Sequence, residues 1–134
     1  MFSKKTRYAL LATVMLAREY GNGPVPISRL SDVENIPRRF LESILLQLKK
    51  IGILDSTRGK DGGYFLTMPP DKIPIKWVIA ECETAEFMPC IRDKGELSCT
   101  FCRDIESCKV RSVLQKVFDC SDTILTENTF ADLI

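Results

Sequence analysis

The chain contains no histidine. That removes Ser-His-Asp and Cys-His catalytic sets, Cys/His zinc fingers and any imidazole titrating near neutrality. It also lacks a membrane-spanning run: the longest apolar stretch, residues 8–17, has ten residues, against the roughly 20 needed to cross a bilayer. Net charge is nearly absent too, at +1, which at first sight argues against a polyanion partner. What is present is enough for one folded domain. The 134 residues are 45% hydrophobic and 28% charged, so the chain can bury a core and does not have a disordered composition.

Lys4, Lys5 and Arg7 ahead of the apolar stretch imitate a secretory leader. Cleavage near Ala17 would then leave an oxidised, disulfide-bearing domain. An amphipathic first helix accounts for the same residues and for those that follow, and it places the chain in the cytoplasm. The charge, once located, is not neutral. Residues 1–76 carry 13 Lys/Arg against 7 Asp/Glu, and residues 77–134 carry 6 against 11. A basic first half and an acidic second half suggest a polyanion partner for the first, the alternative being plain solvation.

Helical spacing of Tyr8, Leu11, Ala12, Met15 and Leu16 predicts a helix over 4–20, ended by Gly21-Asn22-Gly23-Pro24. Ser28 suits the N-cap of a short helix to about Asn35, with Leu30 and Val33 inward. Pro37 suits the first turn of a third helix to about Ile51. Phe40, Leu41, Ile44, Leu45 and Leu48 make its apolar stripe. Arg39, Glu42, Ser43 and Lys50 fall opposite, and so does Leu46, expected to touch a neighbouring element. Gly52 closes the helix as a left-handed residue.

Two strand-like runs, 53–58 and 63–67, flank Gly59-Lys60-Asp61-Gly62 and read as a hairpin with a glycine-rich tip. Pro69-Pro70 breaks the chain. Residues 75–83 suit a short helix with Trp77, Val78 and Cys82 as candidates for burial. Residues 84–106 are irregular, and a long helix returns over 107–125 with Val110, Val113, Leu114, Val117, Phe118, Ile124 and Leu125 on one face. The expected fold is therefore mainly α with a small β-hairpin wing. It is a winged helix-turn-helix over 1–76, followed by a cysteine-bearing segment and a long C-terminal dimerisation helix over 77–134. In that order of elements the third helix keeps one face in the core and offers the other to the major groove. The hairpin tip, with Arg58 and Lys60, reaches adjacent phosphates or the minor groove. The alternative is a small α+β domain whose outward helix face is merely hydrated.

Six cysteines are present. Cys90, Cys99, Cys102 and Cys108 form Cys-x8-Cys-x2-Cys-x5-Cys, four thiols within 19 residues. In an intracellular chain such a cluster more often holds metal than disulfides. Thiolates suit an iron–sulfur cluster or zinc, and spacing does not separate the two. Cys82 and Cys120 lie in helical segments and read as core.

Several stretches are similar to one family. They are Ser3-Lys4-Lys5-Thr6-Arg7-Tyr8-Ala9-Leu10, Ile27-Ser28, Phe40-Leu41-Glu42, Leu48-Lys49-Lys50-Ile51-Gly52 and, most specifically, Arg58-Gly59-Lys60-Asp61-Gly62-Gly63-Tyr64. Over essentially its whole length the chain resembles the Rrf-type bacterial transcription regulators (IscR/NsrR/CymR-like winged helix-turn-helix proteins). The resemblance implies a homodimer paired along the last helix, with each third helix in one half-site of a pseudo-palindromic, double-stranded DNA operator. It implies that Arg39, Glu42 and Ser43 approach base edges and that Arg58 enters the minor groove. Ser28, Arg38 and Lys60 complete the DNA-facing set.

Cluster-bearing members place three cysteines in the cysteine segment, and Cys102 and Cys108 match the last two; the first is Cys90 or Cys99. The histidine that some members carry three residues after the last cysteine is Arg111 here, and the N-terminal acidic ligand of others falls near Arg7-Tyr8. The extra thiol then becomes the fourth ligand of an all-cysteine cluster. The expected function is a DNA-binding regulator, repressor or dual, under iron–sulfur or thiol-redox control. The alternative is a zinc-stapled or metal-free regulator of the same fold answering to a protein or small molecule. No phosphate loop or carboxylate constellation supports an enzyme.

Overall fold

The computed structural model describes residues 2–83 and 107–134. Helix α1 spans Lys4–Arg18, α2 spans Ile27–Glu34 and α3 spans Arg38–Lys50. Strands β1 (Leu54–Thr57) and β2 (Gly63–Leu66) pair antiparallel, with Leu54 opposite Leu66 and Thr57 opposite Gly63. A 3-10 turn at Pro70–Lys72 leads into α4 (Ile75–Cys82). Helix α5 (Lys109–Glu127) and a terminal 3-10 turn at Phe130–Leu133 complete the chain. No helix among the described residues is long and apolar enough to cross a membrane.

The helix-turn-helix is built by local chemistry. Asn35 ends α2 in the left-handed region at φ 52°, a conformation asparagine tolerates. The Ile36 N–H donates to the Ser31 carbonyl at 3.0 Å, and the Ser31 hydroxyl donates to the Ile36 carbonyl at 2.7 Å. Pro37 then opens α3. Ser28 is not the cap of α2. The Val25 N–H and carbonyl are held by Tyr64 at 2.8 and 2.9 Å, so the chain leaves that bridge extended at Pro26 and turns helical at once at Ile27. Ser28 becomes an exposed residue of the first turn.

The wing explains its own glycines. Gly59 adopts φ +112°, which costs a side chain strain. Gly62 and Gly63 have ordinary φ, but a Cβ on either would overlap backbone: Thr57 and Arg58 for Gly62, Val25 and Pro26 for Gly63. The Gly-Gly pair is therefore demanded by close approach of the hairpin to itself and to the chain entering α2. Gly52 ends α3 at φ +84° as expected.

One core joins these elements: Ala9, Ala12 and Leu16 of α1, Leu30 of α2, Leu41, Ile44, Leu45 and Leu48 of α3, and Leu54 and Leu66 of the hairpin. Val78 and Cys82 of α4 and the fully buried Phe130 belong to the same cluster. Phe130 gets there because its N–H donates to the Ile73 carbonyl at 3.1 Å and the Ile75 N–H donates to the Asn128 carbonyl at 3.0 Å. A Thr129–Asp132 capping box fixes the last turn.

Four expected burials fail. Val33 is 61% exposed, because the eight residues of α2 bury only Leu30. Phe40 is 57% exposed, at the edge of the α3 stripe against the Tyr8 ring. Trp77 is on the outer side of α4. Cys120 is exposed, because α5 has two apolar faces rather than one. Leu114, Phe118 and Leu125 are half-buried, and α5 packs on α4, with Lys76 paired to Asp122 at 2.7 Å. Val110, Val113, Val117 and Ile124 lie open, and Cys120 falls among them at heptad spacing.

Candidate nucleic-acid interface and cysteine segment

Helix α3 separates a buried face from an open one. Leu41, Ile44, Leu45 and Leu48 anchor it, and Arg38, Arg39, Glu42, Ser43 and Lys50 are exposed. Pro37 gives no side-chain cap, and the first turn holds two arginines and no acid. Arginines there oppose the helix dipole, whose positive end favours anions. Arg38 Nε meets Glu42 Oε1 at 3.4 Å across one turn, an exposed pair that contributes little to stability. Lys49 joins α3 to the wing: its Nζ donates to Ser56 Oγ at 2.7 Å and lies 3.6 Å from Asp55 Oδ1.

The wing tip carries Arg58 and Lys60, both exposed. On the other flank of α3, the Phe40 and Tyr8 rings meet with centroids 6.3 Å apart. Helix α1 begins with Lys4, Lys5 and Arg7 and no acid in its first turn. A basic helix start, the open face of α3 and a basic hairpin tip thus frame one side of the molecule. Ser28 is exposed on the neighbouring helix.

Sequence reasoning missed how the cysteine segment is anchored. Glu83, the residue after α4, accepts from the Ser3 N–H at 2.7 Å and from the Thr6 hydroxyl. Those two hydrogen bonds, the Thr6 one foremost, hold its carboxyl below the ordinary carboxylate range. At the far end Cys108 is the N-cap of α5, its Sγ accepting from the Arg111 N–H at 3.5 Å. The only available signal was polar residues bordering two helix ends. Of the four expected ligands, Cys108 is described, and Cys90, Cys99 and Cys102 lie outside the described residues. Among the described residues no three Cys, Asp or Glu side chains gather as a metal group. Cys82 is core as expected: burial pushes its thiol up, with Lys5 opposing and Glu81 and Glu83 adding to the rise.

A family profile described as "Rrf2: Iron-dependent Transcriptional regulator" matches residues 2–134. The chain belongs to the Rrf2 family. This Rrf2 protein is 30% identical over 138 residues to an rrf2-like HTH-type transcriptional regulator of Rhodobacter capsulatus, covering 100% of the chain and 92% of that relative. It is 37% identical over 78 residues to IscR of Aliivibrio salmonicida, covering 58% of the chain and 46% of that protein. Among solved structures it superposes on T. potens IscR with a TM-score of 0.77 at 27% identity, covering 99% and 85% of the two chains. It superposes on CymR, the global cysteine regulator of B. subtilis, with a TM-score of 0.79 at 26% identity, covering 99% and 95%. The Rrf2 protein is thus a winged-helix transcriptional regulator and not an enzyme. A transcriptional regulator of this fold binds DNA.

Proposed function

We propose that this chain is a cytoplasmic homodimer that reads a pseudo-palindromic operator and is controlled through a cysteine-bound iron–sulfur cluster. Residues 1–76 are the reading head; residues 77–134 carry the cysteine segment and the pairing helix. The observation that carries the first part is the open face of α3 beside the wing. Glu42 accepts from a cytosine amino group, Arg39 and Ser43 reach base edges, and Arg58 enters the minor groove. Arg38, Lys60 and Ser28 contact the backbone. Pairing is supported by the open apolar face of α5, where Val110, Val113, Val117 and Ile124 are all exposed in a single copy.

The donor set fits the cluster in kind: four soft thiols, of which Cys108 already receives a backbone N–H of the sort that stabilises thiolate ligands. Cys90, Cys99, Cys102 and Cys108 would hold it. When bound, it supplies a redox-sensitive cross-link among those thiolates. The chain's own residues convert that cross-link into a signal. Glu83 fixes one end of the cysteine segment to α1, and Cys108 fixes the other to the start of α5. A change of ligation between them biases how the pairing helix sits against the reading head. The opposing reading, a zinc staple, rests on the same four thiols.

Protein purified without oxygen is expected to be brown, with iron and sulfide in its metal analysis. Replacing Cys102→Ala with Cys108→Ala should bleach it and change its operator affinity in mobility shifts. A colourless protein holding zinc and no iron would overturn the cluster. Unchanged colour in the double variant would overturn the ligand assignment.

A further inference from the structure

The open side of α3 has two flanks and a midline. On one flank Lys49 ties the helix to Ser56 and Asp55 of the wing. On the other, the Phe40 ring meets the Tyr8 ring of α1 at a tilt. Between them, Arg39, Ser43, Leu46 and Lys50 recur at i, i+4, i+7 and i+11, opposite the buried Leu41, Ile44, Leu45 and Leu48. All four midline residues are exposed. Three are polar; Leu46 is 54% exposed and apolar. A lone exposed leucine is ordinary on a protein surface. This one occupies the middle of the strip that any duplex seated between the wing and the start of α1 must face.

The major groove offers hydrogen-bond donors and acceptors and one apolar feature, the 5-methyl group of thymine. An isobutyl group against a donor or acceptor edge would strip water from it and return nothing. Against the methyl, both apolar surfaces leave water. We propose that Leu46 is a specificity-determining residue that packs on a thymine 5-methyl group in each half-site. The proposal rests on α3 being the DNA-reading helix. It adds an apolar readout to the polar one assigned to Arg39, Glu42 and Ser43.

Replacing thymine by deoxyuridine deletes the methyl and keeps every hydrogen bond, so it isolates the proposed contact. Operators are first selected from random duplexes with the full-length protein, purified without oxygen. Single thymines are then exchanged for deoxyuridine and binding is followed by mobility shift. One thymine per half-site is expected to matter, at about 4-fold when exchanged in one half-site and about 15-fold in both. Leu46→Ala should bind the thymine and deoxyuridine operators equally, with an unchanged melting temperature because the side chain is exposed. Leu46→Met should keep much of the discrimination. Sequence-selective binding in which no thymine exchange matters would overturn the Leu46 contact alone, as would a Leu46→Ala variant that discriminates like the wild type. Failure to enrich any sequence would overturn the reading role of α3 itself.

Discussion

At Gly63 the second strand passes so close to Val25 that an added Cβ would overlap that residue's carbonyl. The bridge between Val25 and Tyr64 depends on that approach. Gly63→Ala is therefore expected to lower stability by about 1–3 kcal/mol through overpacking. It should also weaken operator binding, because the bridge fixes the wing against the chain entering α2. Gly52→Ala differs in cause: the site is spatially open, and the cost of about 1–2 kcal/mol comes from its positive φ alone. Thermal melts of both variants, alongside mobility shifts, separate the two cases, since only Gly63→Ala should lose wing geometry. The glycine-rich motif was legible in the sequence as a turn. Its second half was not, because a steric demand set by a residue nearly forty positions away leaves no local mark.

The elements were readable where periodicity and punctuation agreed. The helices α1 and α3, the hairpin and α4 follow from apolar spacing bounded by glycine and proline. Misreadings occurred at edges: Ser28 lost its capping role to a tertiary bridge at Val25, and Phe40 and Val33 lie at the rim of stripes too wide for the core they meet. The tie between Glu83 and the start of α1 was invisible, since Ser3 and Glu83 are 80 residues apart. That contact makes a pH prediction. The Glu83 carboxyl is held below its ordinary value in the folded chain, so its contribution is fully present above the unfolded carboxylate range near pH 4.3 and is lost as pH falls through the folded value. The melting-temperature gap between wild type and Glu83→Gln should be constant near neutrality and shrink below about pH 4. A gap that widens on acidification would contradict the contact. Phe130→Ala, which empties a fully buried site in the last turn, should cost roughly 3–5 kcal/mol.

For the whole molecule, the two apolar faces of α5 divide its labour. One meets α4, and the other, with Val113 and Val117 at its centre, is exposed, as the proposed pairing requires. Val113→Asp with Val117→Asp is expected to give a monomer in sedimentation and to lower operator affinity by far more than the loss of any one reading side chain, because two linked half-site contacts become one. The reading head was legible from the sequence because a winged helix-turn-helix has a fixed order of elements and its basic residues cluster in the first half. The proposed sensor rests on the spacing of four cysteines, of which Cys108 alone is among the described residues, and spacing does not distinguish iron–sulfur from zinc.

The central claim, that paired α3 helices and wings grip DNA, meets its most direct test in operator affinity measured against salt. Log affinity should fall linearly with log salt, with a slope steeper than about −4 for a dimer making several phosphate contacts per half-site. Lys60→Ala should make that slope shallower by about one per half-site. An affinity indifferent to salt, or a slope unchanged when Lys60 is replaced, would contradict it.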